Sequence, residues 1–494
     1  MFLGIDLGTS AVKALLLDEN DAVVAQGTSP LEVSRPKPLW SEQDPQAWWG
    51  AVNDAVGEIR QSNPKELRAA RSVGLAGQMH GATLLDARDE VLRPAILWND
   101  GRSGEECTEL EAAVPEARQL TGNIAMPGFT APKLLWVRKH EPEVFDKVAK
   151  VLLPKDYVRL RMCGDYASDM SDSAGTLWLD VAQREWSEPM LSACGLDMSH
   201  MPRLFEGSQV TGTLRKDIAE SWGMDPVPVA GGGGDNAAGA VGVGVIKPAQ
   251  AFLSLGTSGV YFVADDAYRP NPEGAVHTFG HALPKTWHQM AVILSAASCL
   301  SWAARLTGAK NEAALLEELE EAQGRGYNFD EHVVFLPYLS GERTPHNDPH
   351  AKGVFFGLSH ATERVDLTKA VLEGVAFAFA DGQDALLAAG TAIDEVTVIG
   401  GGARSRLWGE ILASVLNRPL LYRSGGEVGP AFGAARLARL AVTGESPDTV
   451  CTAPPVADVV EPRDEWRGRY MEHLQIYRRV YADLKAAFTD TAAS

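Results

Sequence analysis

Mostly apolar residues from Phe2 to Leu17 flank the polar turn Gly8-Thr9-Ser10 on both sides, with one charged residue in each flank, Asp6 and Lys13. A second turn, Asp18-Glu19-Asn20-Asp21, precedes the short apolar stretch 22–25. Short β-prone runs separated by turn residues predict a three-stranded meander. The same phrase returns at 251–263, where Leu255-Gly256-Thr257-Ser258 matches Leu7-Gly8-Thr9-Ser10 at an offset of 248 residues. A recurrence in the same strand–turn–strand context, half a chain away, predicts two related domains facing each other across a cleft. The chain has 494 residues, more than one hydrophobic core ordinarily serves. The boundary is expected near residue 246, giving domains 1–246 and 247–494, with the last helix, near 472–488, able to pack back on the first. Three further segments read as a strand running into a special loop. Strand 227–230 leads into Gly231-Gly232-Gly233-Gly234-Asp235-Asn236 and a small-residue helix. Strand 396–399 leads into Gly400-Gly401-Gly402 and a helix. Strand 73–76 leads into Gln78-Met79-His80-Gly81. Strand ends are where open α/β sheets bind ligands.

Composition narrows the chemistry. Hydrophobic residues make up 45% and charged residues 22%, an ordinary globular balance. The formal charge of −20 disfavours nucleic acid and anionic membrane as partners. A polyanionic ligand would then need a locally built site. Five scattered cysteines without a C-x-x-C pair suit a reducing compartment and predict neither a disulfide framework nor a zinc site. No window approaches 18 uninterrupted apolar residues, and no basic segment followed by an apolar one precedes the first turn. The expectation is a cytoplasmic enzyme with no membrane span.

A Gly-Thr-Ser turn lets backbone approach closely and offers amides and hydroxyls to an anion. Two such turns in opposition would grip a polyphosphate, so Thr9, Ser10, Gly256, Thr257 and Ser258 are candidate phosphate contacts. Asp6, replaced by Ser254 in the second copy, is a candidate Mg²⁺ holder, directly or through water. Lys13 reads equally as a phosphate contact or as a solvent-facing strand lysine. Asp235 is either a simple N-cap or a general base at a strand end cleared by four glycines. Gly400, Gly401 and Gly402 offer bare backbone to a nucleotide. There is no G-x-x-x-x-G-K-[ST] loop and no complete G-x-G-x-x-G fingerprint, which excludes a P-loop enzyme and disfavours a dinucleotide enzyme.

Longer phrases add a family. Gly4-Ile5-Asp6-Leu7-Gly8-Thr9-Ser10, the segment 128–140 with Lys133, and Gly353-Val354-Phe355-Phe356-Gly357-Leu358 with the following 366–374 resemble the FGGY carbohydrate kinases over nearly the whole chain. Segments 40–45, 77–81, 96–101 and 339–346 resemble the branch that phosphorylates D-xylulose. The resemblance implies an α/β, actin-like ATPase fold of two RNase-H-like domains flanking a catalytic cleft, with ATP and Mg²⁺ as cofactors and D-xylulose as acceptor. It implies Asp235 as proton acceptor, Asp6 near Mg²⁺, and Met79, His80, Asp235 and Asn236 on the sugar. It also implies the 256–258 turn on phosphate and the 400–402 loop on adenosine, and by analogy it allows a homodimer. A kinase for another ketose or polyol, and a non-catalytic ATP-driven switch of the actin or chaperone kind, are the alternatives.

Overall fold

The structure is a computed structural model that describes residues 1–329, 333–424 and 429–492. The opening meander is present as strands Phe2–Leu7, Ala11–Leu17 and Val23–Pro30, paired antiparallel. Strand Val73–Gly77 adds parallel to the first, and Pro228–Ala230 parallel to that. The second half repeats the plan. Gln250–Leu255, Gly259–Asp265 and Trp287–Ile293 form an antiparallel set, and Glu395–Ile399 and Leu420–Arg423 continue it in parallel. Each half therefore builds a seven-stranded sheet on one plan, the doubled RNase-H-like architecture of actin-like ATPases. The repeated turns close equivalent hairpins. The first turn is one residue longer, since Leu7 pairs with Val12 whereas Leu255 pairs with Gly259.

The two halves interlock through helix Pro430–Thr443, which packs on strands Phe2–Leu7 and Val73–Gly77 of the first sheet and on helix Asp235–Val243. Small residues permit the approach. A Cβ on Gly4 would stand 1.9 Å from the Ala431 carbonyl oxygen, one on Gly74 1.9 Å from that of Ala434, and one on Gly433 1.7 Å from that of Ala238. Backbone thus lies directly on backbone. Arg436 locks the arrangement, pairing with Asp21 at 2.8 Å and donating to the Val241 and Gly242 carbonyls.

The expected return onto the first half is thus made by this helix and not by the last one. Helix Asp464–Ala492 packs on helices Arg364–Ala388 and Arg406–Leu416 and strand Val334–Leu336 of the second half. Its Tyr470, Tyr477, Tyr481 and Phe488 form one apolar stripe in that core. The Tyr477 hydroxyl lies 2.7 Å from that of Tyr338, so the aromatic stripe is satisfied without reaching the first sheet.

Candidate active site

Three of the expected features meet at one sheet end. Gly233 and Gly234 pair parallel with Ala76 and Gly77, while Asp6 and Leu7 pair with the same two residues from the other side. Asp6, the 78–81 loop and Asp235 therefore leave adjacent parallel strands in the same direction. Asp235 begins helix Asp235–Val243, but the cap residue is Gly234. Its Oδ1 accepts from the backbone N and the Nδ2 of Asn236, at 2.7 and 2.9 Å. Asn236 thus orients the carboxylate, and the plain N-cap alternative does not hold. Burial pushes the Asp235 pKa up to about 6, against those two hydrogen bonds.

Asp6 lies opposite Lys13 across the hairpin. Its Oδ1 is buried without a hydrogen-bond partner. Burial first, then the charge of Asp235, raise its pKa to about 7, with Lys13 opposing. An orphaned carboxylate oxygen beside a second raised carboxylate is an environment whose negative charge Lys13 alone does not offset.

The four glycines serve a purpose different from the one expected. A Cβ on Gly231 would lie 2.4 Å from the Glu206 carbonyl oxygen, and one on Gly234 2.8 Å from Met79 Sδ. Gly232 has φ 71°, and its Cβ would fall 1.8 Å from the Leu75 carbonyl oxygen. The run is cleared for the protein's own chain, which lets the backbone just before Asp235 lie directly on Met79. The 400–402 loop divides similarly. Gly400, at φ 97°, and Gly402 press on Leu255, and only Gly401 faces open space.

His80 sits at φ 70°. Its Nδ1 donates to the Gly175 carbonyl at 2.7 Å, which leaves Nε2 as the acceptor nitrogen. Burial holds the ring neutral, with a pKa down at about 3. Its own carbonyl accepts from Thr130 Oγ1 at 3.0 Å and Lys133 Nζ at 2.9 Å. The segment 128–140 therefore acts by holding the sheet-end loop in place. Sequence reading marked the segment without finding this task, because the partner is a main-chain carbonyl 50 residues away.

The two turns differ. In the second, Gly256 and Thr257 turn their carbonyls to the first amides of helix Ala297–Thr307 and its approach, Ala296, Ala297 and Ser298. Thr257 and Ser258 are left exposed. In the first, Thr9 Oγ1 donates to Gln78 Oε1 and accepts from Trp98 Nε1, both at 3.0 Å. Gln43 Nε2 donates to the Thr9 carbonyl at 2.7 Å, and Gln43 Oε1 accepts from Gln78 at 2.9 Å. The Thr9 hydroxyl is committed to tying this turn to the 78–81 loop, while Ser10 is exposed. Gln43 and Trp98 were quoted within segments but carried no role, since a buried amide linking two loops leaves no periodic trace. A cavity of about 480 Å³ is lined by Lys13 from the first half and by Thr397, Gly400, Arg404, Tyr422 and Arg423 from the second.

Residues 1–242 match the family model of the FGGY carbohydrate kinases, N-terminal domain, and residues 251–442 that of the C-terminal domain. The chain is 56% identical to the xylulose kinase of Escherichia coli over 98% of its own length and 99% of the relative's. Among solved structures, a "xyloylose kinase" from Brucella ovis superposes with a TM-score of 0.94 at 53% identity, covering 98% of this chain and 99% of that one. A xylulose kinase from Rhodospirillum rubrum gives 0.91 at 28% identity, with 99% of each chain covered. With both domains matched and the relatives aligned end to end, the chain belongs to the FGGY family of carbohydrate kinases.

Proposed function

We propose that the chain transfers the γ-phosphate of ATP to the terminal hydroxyl of D-xylulose, giving D-xylulose 5-phosphate and ADP. The observation that carries this is the carboxylate of Asp235, held by Asn236 at a strand end where the preceding Gly234 lies against Met79 and pairs with Gly77, the residue that opens the Gln78–Gly81 loop. The full-length likeness to xylulose kinases supplies the sugar. In this reading residues 1–246 bind the sugar and carry the base, and 247–494 bind ATP. His80 Nε2, Met79 and Asn236 take the sugar. The cavity beside Gly400 and Gly401 takes the adenosine, and the Gly256-Thr257-Ser258 turn with Ser10, the Thr9 backbone and Lys13 takes the phosphates. The sugar oxygen forms a bond to the γ-phosphorus as the bond to the β,γ-bridging oxygen breaks. The hydroxyl proton passes to Asp235 late, as is usual when attack is loose.

Mg²⁺ fits at Asp6, whose buried Oδ1 lacks a partner. Among the described residues no group of three or more His, Cys, Asp or Glu side chains is placed to cage a metal, so the ion would complete its shell with water and phosphate oxygens. When bound it neutralises charge on the phosphates. Among the described residues no helix is long and apolar enough to cross a membrane.

The deciding experiment is a panel of D-xylulose, ribulose, rhamnulose, gluconate and glycerol with coupled detection of ADP. D-Xylulose should give the highest kcat/KM; equal or higher values with another acceptor, or ADP release independent of sugar, would reject the reading. Two further outcomes follow from the geometry. Asp235 must be ionised to accept a proton, and its pKa is raised to about 6. At saturating Mg²⁺, which holds Asp6 ionised, turnover should therefore fall as pH drops through about 6 and level off above it, a limb read from a pH series of kcat/KM. Thr9→Val removes the link between turn and loop. It should raise the KM for the sugar at least as much as that for ATP; a rise for ATP alone would return the hydroxyl to the phosphates.

A further inference from the structure

Five charged side chains lie out of reach of solvent behind the site. Lys155, Asp156 and Arg159 come from helix Pro154–Cys163, and Asp169 and Asp172 from the turn after it. None is more than 1% exposed. Lys155 Nζ stands 2.6 Å from Asp156 Oδ1, 2.9 Å from Asp169 Oδ1 and 3.2 Å from Asp172 Oδ2. Burying such charges carries a large desolvation cost before pairing, and apolar side chains of similar volume often serve stability as well or better. The cluster therefore calls for an account other than stability. Arg159 adds a second cation 3.8 Å from Asp156. Burial raises the Asp172 carboxyl well above the ordinary aspartate range, against the pull of Lys155 and with Asp156 and Asp169 adding to the rise.

The connections leaving the cluster show what it holds. Asp169 Oδ2 accepts from the Ser171 hydroxyl at 2.5 Å and from the Ser171 amide at 2.7 Å. That hydroxyl in turn accepts from the amide of Gly234 at 3.0 Å, one residue before Asp235. Arg159 donates to the carbonyls of Ala230 and Gly231 at 2.7 and 2.6 Å, at the entrance to the glycine run. The same short turn ends at Gly175, whose carbonyl accepts the hydrogen bond from His80 Nδ1 at 2.7 Å, and the Gly175 amide is tied back to the Asp172 carbonyl at 3.0 Å. A Cβ on Gly175 would lie 2.6 Å from that ring nitrogen, so the fit against His80 leaves no slack. Asp235 and His80 stand on separate loops with no shared element. The glycine run leading to one has no side chains with which to hold itself, and the other occupies a left-handed backbone position.

We propose that the Lys155–Asp169 ion pair and Ser171 form a positioning device that fixes Asp235 and the His80 ring relative to each other, and so sets the sugar hydroxyl against its base. The proposal rests on the reading of Asp235 as base and His80 as sugar contact. Ser171, Asp169 and Lys155 are positioning residues: none is placed at the substrate, and each acts through the backbone of Gly234 or Gly175. Positioning of this kind is worth much in rate, since a displacement of about 1 Å in a reacting group can cost about 100-fold.

The test is Ser171→Ala, which deletes one oxygen and leaves the ion pairs in place. Phosphorylation of D-xylulose should lose about 10- to 100-fold in kcat. The KM for ATP should stay within about twofold of wild type, because the device has no contact with the proposed nucleotide cavity, and the thermal midpoint should move by no more than a few degrees. Lys155→Met, which keeps most of the volume, should show the same kcat loss with a higher KM for sugar if it folds; Ser171→Ala carries the test if it does not. Wild-type kcat in Ser171→Ala overturns the proposal, as does a loss in which kcat, ATP affinity and midpoint fall together, the mark of general disorder. Asp235→Asn, assayed alongside, separates the two readings. An inactive Asp235→Asn with a fully active Ser171→Ala rejects the positioning device alone, whereas an active Asp235→Asn rejects the base on which it rests.

Discussion

Asp235→Asn should reduce sugar-dependent ADP formation by about three orders of magnitude while D-xylulose still binds. The substitution is close to isosteric. Its amide oxygen can still accept from the Asn236 backbone and side chain, as the carboxylate does, so the helix start and the packing of Gly234 on Met79 should persist. What is lost is the ability to receive a proton, and general base catalysis contributes about 10²–10⁴-fold where it operates. The variant should also lose the acid limb of kcat/KM near pH 6, since the group that titrates there is gone. Sugar affinity, followed by tryptophan fluorescence without nucleotide, should change little. Turnover within a few-fold of wild type would remove Asp235 from the reaction, and lost sugar binding with intact folding would make it a ligand rather than a base.

Local signals in the sequence reached the fold further than they reached the inner workings of the site. The meander and its repeated turn were legible because strands and hairpin turns are encoded within a few neighbouring residues, and both hairpins occur where 2–17 and 251–263 predict them. Asp235 was legible because a strand, a glycine run and a small-residue helix stand in direct succession. The reason for the glycines was not, since the atoms that forbid a Cβ at 231, 232 and 234 belong to Glu206, Leu75 and Met79, distant in sequence. Thr9 shows the same limit: a Gly-Thr-Ser turn suggests a hydroxyl aimed at phosphate, but Gln78 and Trp98 claim it. The return helix misled for a further reason. The helix that crosses does so because Gly4, Gly74 and Gly433 carry no side chain at the contact, a feature with no hydrophobic period of its own. Family phrases marked 128–140 as important, and only coordinates showed Lys133 and Thr130 holding the His80 carbonyl.

Asp6→Asn should impair turnover by roughly 10²–10³-fold and, at the same time, make the metal-free protein more stable. The second effect follows from linkage. Folded Asp6 keeps its proton up to a pH of about 7, against 3.8 for an ordinary aspartate. The folded state therefore binds more protons than the unfolded chain between those values, and stability falls as pH rises through that window. Above it the cost is complete, on the order of 4 kcal/mol for a shift of this size. Asparagine carries no charge and escapes the cost, so at pH 8 without divalent metal its thermal midpoint should exceed that of wild type by several degrees. At pH 5 the two midpoints should draw together. Mg²⁺ supplies the missing positive charge, so adding it at pH 8 should raise the wild-type midpoint and leave that of Asp6→Asn nearly unchanged. A fold strained at Asp6 in the empty protein, and relieved on loading, is the expected mark of a residue kept for function at the expense of stability. Equal Mg²⁺ shifts in the two proteins would place the ion elsewhere, and an unchanged or lower midpoint for Asp6→Asn in the absence of metal would show that the buried oxygen carries no such strain.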